Sequence, residues 1–357
     1  MNSLFEPLHR DENNSPLIIA GPCSVESPEQ LFSTIKELNA QGISIIRGGV
    51  WKPRTRPGSF EGLGTVALPW IEEVKKEFPI QFGVEVASSK HVEAALKHQI
   101  DFVWIGARST VNPFTVQEIA DSLKGSKIPV LIKNPVNPDL SLWLGAVERI
   151  ANAGIRQIAA IHRGFSNFRD SIHRNSPMWQ LPIEFKSHFP EIPMINDPSH
   201  ISGKRSLVPL IAQKALDLNF DGLMIESHIS PDQAWSDATQ QVTPFDLGNI
   251  LKNLKTRKIR FEAPEMLDQL EEIRHQIDQA DHELLEAIHR RMNLVEKIGA
   301  YKKLNNVAVL QMERWQDILQ SRSGWANSLE ISPELVREIM SLIHQESIKK
   351  QTEIMDS

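Results

Sequence analysis

Several features that decide the class of a protein are scarce or absent in this sequence of 357 residues. Its single cysteine excludes a framework of intrachain disulfides. No apolar run is long enough for a membrane-spanning helix, and residues 1–16 contain no signal-peptide core. The formal charge of −6 argues against a general nucleic-acid-binding protein, which usually has a basic surface. These absences predict a cytoplasmic protein with no membrane or nucleic-acid partner.

Eight short apolar runs are present instead, and nearly every one ends in a residue that can take part in chemistry. Segments with helical periodicity lie between them. Strands of about five residues that alternate with helices of about ten imply parallel βαβ units with right-handed crossovers. Eight such units favour an α/β fold of the (β/α)8 TIM-barrel type, with its active site at the carboxyl ends of the strands. The runs are residues 17–19, 43–46, 80–84, 102–105, 130–132, 158–161, 194–195 and 223–225.

The pattern changes after about residue 252, where a basic stretch precedes a long segment with one glycine and no proline. From residue 265 to about residue 304, apolar residues recur at helical spacing. Such a helix would be a rod of about 60 Å, too long to bury its apolar stripe against a short partner. Two shorter helical segments follow, so we predict an all-α three-helix domain that forms an intertwined homodimer, with a coiled-coil tail as the alternative. The predicted domains are a barrel at 1–255, a linker at 256–264 and a helical domain at 265–357.

Two groups of side chains stand at the ends of the apolar runs. The first combines a soft thiol, an imidazole and two hard carboxylates, a donor set that suits a divalent metal ion. The second consists of arginine and lysine, whose charges would repel one another at one barrel mouth unless a highly charged anion bound there. The alternative for the first group is that its members are inert packing residues. The alternative for the second is that its members are scattered surface charges. The candidate metal ligands are Cys23, His200, Glu226 and Asp237, and the cations are Arg47, Lys52, Arg54, Arg108, Lys133 and Arg163.

The motifs at these positions resemble those of the short, type Iβ, 3-deoxy-D-arabino-heptulosonate 7-phosphate (DAHP) synthases over about residues 15–255. The related 3-deoxy-octulosonate 8-phosphate synthases typically have an Asn-rich motif where this chain has Lys52-Pro53-Arg54-Thr55, which favours erythrose 4-phosphate as the aldehyde. A related enolpyruvate–sugar phosphate condensing enzyme is the alternative. The motifs are Gly21-Pro22-Cys23-Ser24, Arg47-Gly48-Gly49, Lys52-Pro53-Arg54-Thr55-Arg56-Pro57, Gly106-Ala107-Arg108, Asp197-Pro198-Ser199-His200 and Ser236-Asp237.

This resemblance implies roles for the candidate residues. The metal ion, Mn²⁺ by preference with Fe²⁺, Co²⁺ or Zn²⁺ as alternatives, would polarise the aldehyde as a Lewis acid. Glu85 would position a water or a cation. One departure is His162, where many relatives have a glutamate; it changes the group available for water activation. Phosphoenolpyruvate would be held by Arg47, Arg108, Lys133 and Arg163, erythrose 4-phosphate by Lys52, Arg54 and Thr55, and catalysis would involve Lys52, Lys133 and His200.

The helical segment resembles the all-helical AroQ class of chorismate mutases over about residues 265–357. This resemblance implies that chorismate is bound by several polar side chains, while Lys302 and Gln351 stabilise the negative charge that develops on its ether oxygen. The rearrangement is pericyclic and needs no nucleophile. The motifs are Ile273-Arg274-His275-Gln276-Ile277-Asp278, Leu284-Leu285, Arg290-Arg291, Lys302, Glu346-Ser347 and Gln351. The implied chorismate-binding residues are Arg274, Arg291, Lys302, Arg314, Ser347 and Gln351, of which Arg291, Lys302 and Gln351 are the expected catalytic residues.

Helical geometry favours a site shared between two chains. Arg274 and Lys302 are separated by 28 positions, or about 42 Å on a straight helix, which one small dianion cannot span. Arg274 and Arg291 also point in different directions around the axis. We therefore predict that a partner chain supplies Arg291.

Gln311 and Trp315 stand where the mutase family commonly has acidic residues. The sequence predicts a bifunctional enzyme of the shikimate pathway of aromatic amino-acid biosynthesis, with phosphoenolpyruvate, erythrose 4-phosphate and chorismate as substrates. The alternative is a synthase whose helical domain only senses chorismate or prephenate and mediates dimerisation. Because the segment before the first strand is short, we expect regulation to act through the helical domain.

Overall fold

The structure is a computed structural model that describes residues 15–53, 58, 60–166, 172–257 and 264–357, the side chains of residues 264–266 excepted. The chain divides into two compact units, Met1–Ile259 and Arg260–Ser357. Within the described ranges, no helix is both long and apolar enough to cross a membrane. Arg54 and Thr55, two predicted substrate contacts, lie outside the described residues.

The first unit is a closed barrel in which every strand pairs in parallel with the next and β8 pairs in parallel with β1. The prediction of a (β/α)8 barrel is confirmed. Each predicted apolar run contributes to one strand, and every strand except β4 extends by a residue or two toward the functional positions that follow its run. The strands are β1 Leu17–Gly21, β2 Ile45–Arg47, β3 Gln81–Val86, β4 Phe102–Ile105, β5 Val130–Lys133, β6 Ile158–His162, β7 Met194–Asn196 and β8 Gly222–Glu226.

Helices connect the strands and cover the outside of the barrel. Two of them, α2 and α7, bury three and two residues respectively. The helices of this unit are α1 Pro28–Ala40, α2 Leu68–Glu77, α3 Ser89–Lys97, α4 Ala107–Thr110, α5 Pro113–Leu123, α6 Leu140–Asn152, α7 Gln180–His188, α8 Pro198–Ser202, α9 Val208–Asp217 and α10 Pro244–Asn253.

Alternation along the strands decides which side chains enter the barrel. Trp104, Leu131 and Met224 belong to the apolar cluster that fills the interior. Because strand side chains alternate between the two faces, a residue two positions further on faces the same way. Lys133 and Glu226 therefore follow the interior core at the carboxyl ends of β5 and β8, where active sites of such barrels lie.

The second unit consists of three helices, α11 Pro264–Leu304, α12 Met312–Ser328 and α13 Pro333–Asp356. Its helical character is confirmed, and α12 and α13 are both shorter than α11, as expected. In the described part of this unit, the buried residues are Val295, Gly299, Ala326, Ser347 and Gln351. Large apolar side chains are exposed along α11, among them Ile277 at 54% and Leu285 at 64%. One chain alone therefore leaves much of the apolar stripe uncovered.

Candidate active sites

The first candidate site is a cluster of possible metal ligands at the carboxyl end of the barrel. The ligand atoms of Cys23, Glu226 and Asp237 all lie within 4.8 Å of one another. His200, the fourth predicted ligand, adjoins the cluster with Nε2 at 3.6 Å from Glu226 Oε1. The structure thus brings together residues that follow β1, β7 and β8 in sequence.

The chemistry of this cluster fits a divalent cation. Thiolate, imidazole and carboxylate are ligands for transition-metal ions of this charge. Glu226 is fully buried, and its Oε1 atom accepts no hydrogen bond from the described residues although the Arg47 guanidinium lies 3.4 Å away. A buried carboxylate oxygen that accepts no hydrogen bond is costly, and direct coordination of a metal cation would offset that cost more fully than the Arg47 ion pair does.

Cys23 contacts both a carboxylate of the cluster and a lysine outside it. Its Sγ atom lies 3.2 Å from Asp237 Oδ2 and 2.6 Å from Lys52 Nζ. Burial, together with the charge of Glu226, raises the pKa of the Cys23 thiol to about 12. A bound metal ion deprotonates a coordinating thiol. The adjacent Lys52 ammonium would favour the same thiolate.

Three of the predicted cations are buried at the same end of the barrel. Arg47 and Lys133 both approach the Trp104 ring, at 5.0 and 5.9 Å from its centroid. Arg163 donates to Asn175 Oδ1 at 2.8 Å. Burial, reinforced by the neighbouring cations Arg174 and Arg108, lowers the pKa of Arg163 to about 10. Buried cations attract an anion strongly, so this cluster is suited to phosphate and carboxylate groups.

Arg108 and Glu85 lie at the ends of β4 and β3. Arg108 is exposed on the short helix α4 and acts electrostatically on Arg163. Glu85 is half-buried and accepts a hydrogen bond from Trp104 Nε1 at 3.0 Å. A Cβ atom on Gly106 would lie 2.0 Å from Glu85 Oε1, so the backbone of Gly106 makes room for that carboxylate.

Asp197 belongs to a motif quoted from the sequence, but sequence reasoning gave it no role of its own. It is fully buried, accepts a hydrogen bond from Lys133 Nζ at 2.8 Å and lies 2.7 Å from His200 Nδ1. Burial alone would raise the pKa of Asp197, but His200 and Lys133 hold it well below its usual range. Asp197 therefore orients the His200 ring so that Nε2 remains available to a metal ion. The available signal was its position directly before Pro198, where it caps α8.

Arg174 and Gln240 are also absent from the predicted site. Arg174 donates to Asp237 Oδ1 at 2.9 Å and to Gln240 Oε1 at 2.7 Å. Gln240 in turn donates to Glu226 Oε2 at 2.7 Å. Both candidate ligand carboxylates are thus fixed by an outer set of donors, as is common around metal ions. No sequence spacing reveals this, because the loop that carries Arg174 is distant from Asp237 in the chain.

The second candidate site lies between α11 and α13. Arg291 Nη1 donates to Ser347 Oγ at 2.7 Å, and Gln351 Nε2 donates to the Ser347 carbonyl at 3.2 Å. Ser347 and Gln351 are buried. Lys302 Nζ donates to the Val309 carbonyl at 2.5 Å, and burial lowers its pKa. The cations Arg291 and Lys302 on α11 and the amide of Gln351 on α13 thus belong to one pair of helices.

Comparison with known proteins identifies both units. Residues 8–262 match the model of the DAHP synthetase I family, which is most of the chain. The chain belongs to this family. Residues 273–352 match the model of chorismate mutase type II. The predicted fusion of a DAHP synthase domain with a chorismate mutase domain is confirmed. The combination is consistent with DAHP synthesis and conversion of chorismate to prephenate in the shikimate pathway.

Individual relatives agree with the family match. A phospho-2-dehydro-3-deoxyheptonate aldolase from Thermotoga maritima is 34% identical over 226 residues, which span 63% of this chain and 64% of that relative. A 2-dehydro-3-deoxyphosphooctonate aldolase from Vesicomyosocius okutanii is 25% identical over 68% of this chain and 91% of its own length. The crystal structure of the Thermotoga DAHP synthase superposes with a TM-score of 0.60 at 26% identity, covering 70% of this chain and 76% of that chain.

His162, which ends β6, stands where many relatives have a glutamate. Its side chain does not enter the barrel site. Its neighbour Ile161 packs in the barrel interior, so His162 faces the opposite side, where its ring meets Trp179 and Phe220. His162 Nε2 donates to the Pro177 carbonyl at 2.6 Å. Burial lowers the pKa of His162 to about 3, so the ring is neutral. The expectation that His162 alters water activation is wrong for this geometry.

Within the chorismate mutase unit, Arg274 and Arg291 have different surroundings. Arg291 contacts α13 of its own chain, whereas Arg274 is 58% exposed and pairs with Glu271 at 2.6 Å. Arg291 already lies beside Ser347 of its own chain, so this contact does not require the partner chain that the prediction invoked, and which chain supplies each arginine stays a prediction. Arg314 is exposed on α12.

Proposed function

We propose that the barrel unit condenses phosphoenolpyruvate with erythrose 4-phosphate to give DAHP and phosphate, and that the helical unit rearranges chorismate to prephenate. The observation that carries the first activity is the juxtaposition of a metal-ligand cluster with buried cations at one barrel end. The clustering of Arg291 and Lys302 around α13 supports the second. The cytoplasmic location and the absence of nucleic-acid and membrane partners stay predictions.

The residues of the barrel suggest how the condensation proceeds. A divalent metal ion on Cys23, His200, Glu226 and Asp237, which we propose to be Mn²⁺, would polarise the aldehyde carbonyl. The enolpyruvate methylene carbon attacks the aldehyde carbon, water adds to the other alkene carbon, and phosphate leaves with carbon–oxygen cleavage. We assign proton donation to the new hydroxyl to Lys52, because its ammonium adjoins Cys23.

Substrate recognition in the barrel follows from the buried charges. Arg47, Lys133 and Arg163 would hold the phosphate and carboxylate of phosphoenolpyruvate, with Arg108 contributing from the rim. Because these groups are fixed by Glu226, Asp197 and Asn175 before substrate arrives, little reorganisation is needed on binding. Lys52, with Arg54 and Thr55, would hold erythrose 4-phosphate, and Glu85 would position a water or a cation.

The aldehyde assignment is tested by a direct comparison of substrates. We expect kcat/KM for erythrose 4-phosphate to exceed that for arabinose 5-phosphate by at least about 100-fold, because a site built to hydrogen-bond one substrate leaves polar groups unpaired with another. Phosphate release from phosphoenolpyruvate measures both reactions. A preference for arabinose 5-phosphate would instead indicate a 3-deoxy-octulosonate 8-phosphate synthase, the activity named for several relatives.

The helical unit needs only binding and electrostatic stabilisation for its reaction. Arg291 and Lys302 would bind the carboxylates and the ether oxygen of chorismate, with Ser347 and Arg314 as further contacts. Lys302 and Gln351 would stabilise negative charge on the ether oxygen as the carbon–oxygen bond breaks. The buried Gln351 Oε1 has no hydrogen-bond partner among the described residues, which leaves it available to a ligand.

We further propose that two chains form an intertwined homodimer through the helical unit. The exposed apolar stripe of α11 would then be buried against the partner, which is the usual fate of such a surface. Arg274 lies 17 positions before Arg291, about 26 Å along the same helix, so it can reach a chorismate beside Arg291 only from a second chain.

Mixing two inactive variants tests this arrangement. In a dimer that combines Arg274→Ala and Arg291→Ala chains, one of the two sites carries both substitutions and the other carries neither. We expect co-expression of the two variants to restore about one quarter of wild-type mutase activity, since about half of the dimers are mixed. As a control, two different substitutions of Arg291 are co-expressed. Every site in these dimers lacks Arg291, so the mixture should stay inactive. Absence of restored activity would contradict a shared site.

A sensor role for the helical unit is the second candidate function. Gln311 and Trp315 replace the acidic residues usual in the mutase family, which favours binding without turnover. Chorismate consumption by the full chain decides between the two. Prephenate formation supports the mutase, and prephenate binding without any chorismate turnover supports the sensor.

A further inference from the structure

The face of α13 that carries Ser347 and Gln351 also carries a histidine with an unpartnered nitrogen. His344, Ser347 and Gln351 are spaced three and four residues apart, so they lie on one side of the helix. The Nε2 atom of His344 is buried and makes no hydrogen bond to the described residues. The same holds for the Oε1 atom of Gln351. Buried polar atoms are normally paired, so two unpaired atoms on one helix face point to a ligand.

The imidazole of His344 is held in a fixed orientation by α12. Its ring stacks on the indole of Trp315, with 4.0 Å between ring centroids and 7° between ring planes. Trp315 is thus the platform that positions His344, at a place where the family commonly has a carboxylate. A rigid aromatic contact of this kind limits the ring to one plane at little cost in conformational entropy.

His344 also lies in the electrostatic field of the cations already assigned to the site. Burial lowers its pKa, and the charges of Arg291 and Lys302 on α11 lower it further. Trp315 on α12 is uncharged, as are Ser347 and Gln351 on α13, while Arg322 on α12 acts on Arg291. His344 is therefore close enough to Arg291 and Lys302 to sense a dianion that binds between them.

We propose that His344 is a further substrate-contacting residue of the mutase site, positioned by Trp315 and hydrogen-bonded through Nε2 to an oxygen of the bound dicarboxylate. This inference rests on the proposed mutase site. Burial and the charges of Arg291 and Lys302 both lower the pKa of His344, and a dianion that offsets those charges removes the second cause, so binding raises the pKa of His344. By linkage, ligand binding takes up protons and becomes tighter as the pH falls.

The test uses full-length wild-type protein and the His344→Gln, His344→Leu, Trp315→Phe and Trp315→Ala variants. Chorismate kcat and KM are measured between about pH 6 and pH 8, the range in which histidine commonly titrates. Proton uptake on prephenate binding is measured by calorimetry in two buffers of different ionisation enthalpy. His188→Gln, at an exposed position at the end of α7, is the matched control.

We expect His344→Leu to raise KM roughly 10-fold or more, the usual loss for a hydrogen bond to a charged group. His344→Gln keeps a hydrogen-bonding group that does not titrate, so it should retain most of the affinity while losing proton uptake and the fall of KM toward low pH. Trp315→Ala should resemble His344→Leu, and Trp315→Phe should resemble the wild type. His188→Gln should change neither quantity.

Two outcomes overturn the proposal in distinguishable ways. If the wild type binds prephenate or converts chorismate while the His344 variants show unaltered KM and proton uptake, the role of His344 is wrong and the mutase site stands. If the wild type neither converts chorismate nor binds prephenate, the proposed function of the helical unit fails together with the role of His344.

Discussion

Replacement of Cys23 by alanine is expected to lower DAHP synthase turnover by at least about 1,000-fold and to leave chorismate mutase turnover unchanged. Cys23 Sγ lies within the ligand cluster with Glu226 and Asp237. A Lewis-acid metal contributes several kcal/mol to stabilisation of the transition state, and about 4 kcal/mol corresponds to a factor of 1,000 in rate. The thiolate is the soft member of the donor set, and no other cysteine in the chain can replace it.

The measurement pairs both assays with the metal content of the purified protein. Exhaustive chelation of the wild type should abolish synthase activity, and adding back Mn²⁺ should restore it, whereas Cys23→Ala should not recover. Because Cys23 is buried, the thermal unfolding midpoint of the variant shows whether the barrel still folds. Full synthase activity after chelation, or in Cys23→Ala, would contradict the metal assignment.

The second large effect is expected in the helical unit. Arg291→Ala and Lys302→Ala should each lower kcat/KM for chorismate by roughly 100- to 1,000-fold, the usual loss when one preorganised charged donor is removed. Both side chains are partly desolvated: burial lowers the pKa of Arg291, reinforced by Arg322, and burial lowers the pKa of Lys302. A donor in such surroundings interacts more strongly with a dianion than an exposed one.

The chain supplies a neighbouring control for each of these variants. Arg290 is 69% exposed and pairs with Glu286 at 3.6 Å, while Lys303 donates to the carbonyl of Ile354 on the surface. Arg290→Ala and Lys303→Ala should keep mutase activity within about 2-fold, since exposed ion pairs contribute little. Synthase activity of all four variants serves as the internal control. Equal losses in the neighbouring pairs would point to a folding defect instead of a lost contact.

Much of the barrel and most of its candidate site could be predicted from local sequence. The apolar runs fix where strands form, and the residue types that follow them supply metal ligands and cations. Cys23, Glu226 and Asp237 were predicted on this basis, and the structure gathers them. The reason is physical: carboxyl ends of parallel strands in a closed barrel converge on one mouth, so residues distant in sequence become neighbours.

Three features could not be predicted, because they depend on the direction of individual side chains. Asp197 joins Lys133, 64 positions away, to its near neighbour His200, and Arg174 holds Asp237 from a segment 63 positions away. His162 follows the strand-tip pattern yet faces the helix layer. A shift of one position along a strand reverses the face of a side chain, and short runs leave that register open.

The sequence by itself determined that the protein has a (β/α)8 barrel followed by a helical unit, and which residue types are available to each site. Its periodicities and motifs are local properties, which the chain carries whether or not it is folded. Only the tertiary structure decided that Asp197 orients His200, that Arg291 and not Arg274 belongs with Ser347, and that His344 stacks on Trp315. The contacts of Arg291 and His344 join separate helices, and Asp197 is anchored by Lys133 on β5, so these arrangements exist only after packing has fixed distance and orientation together.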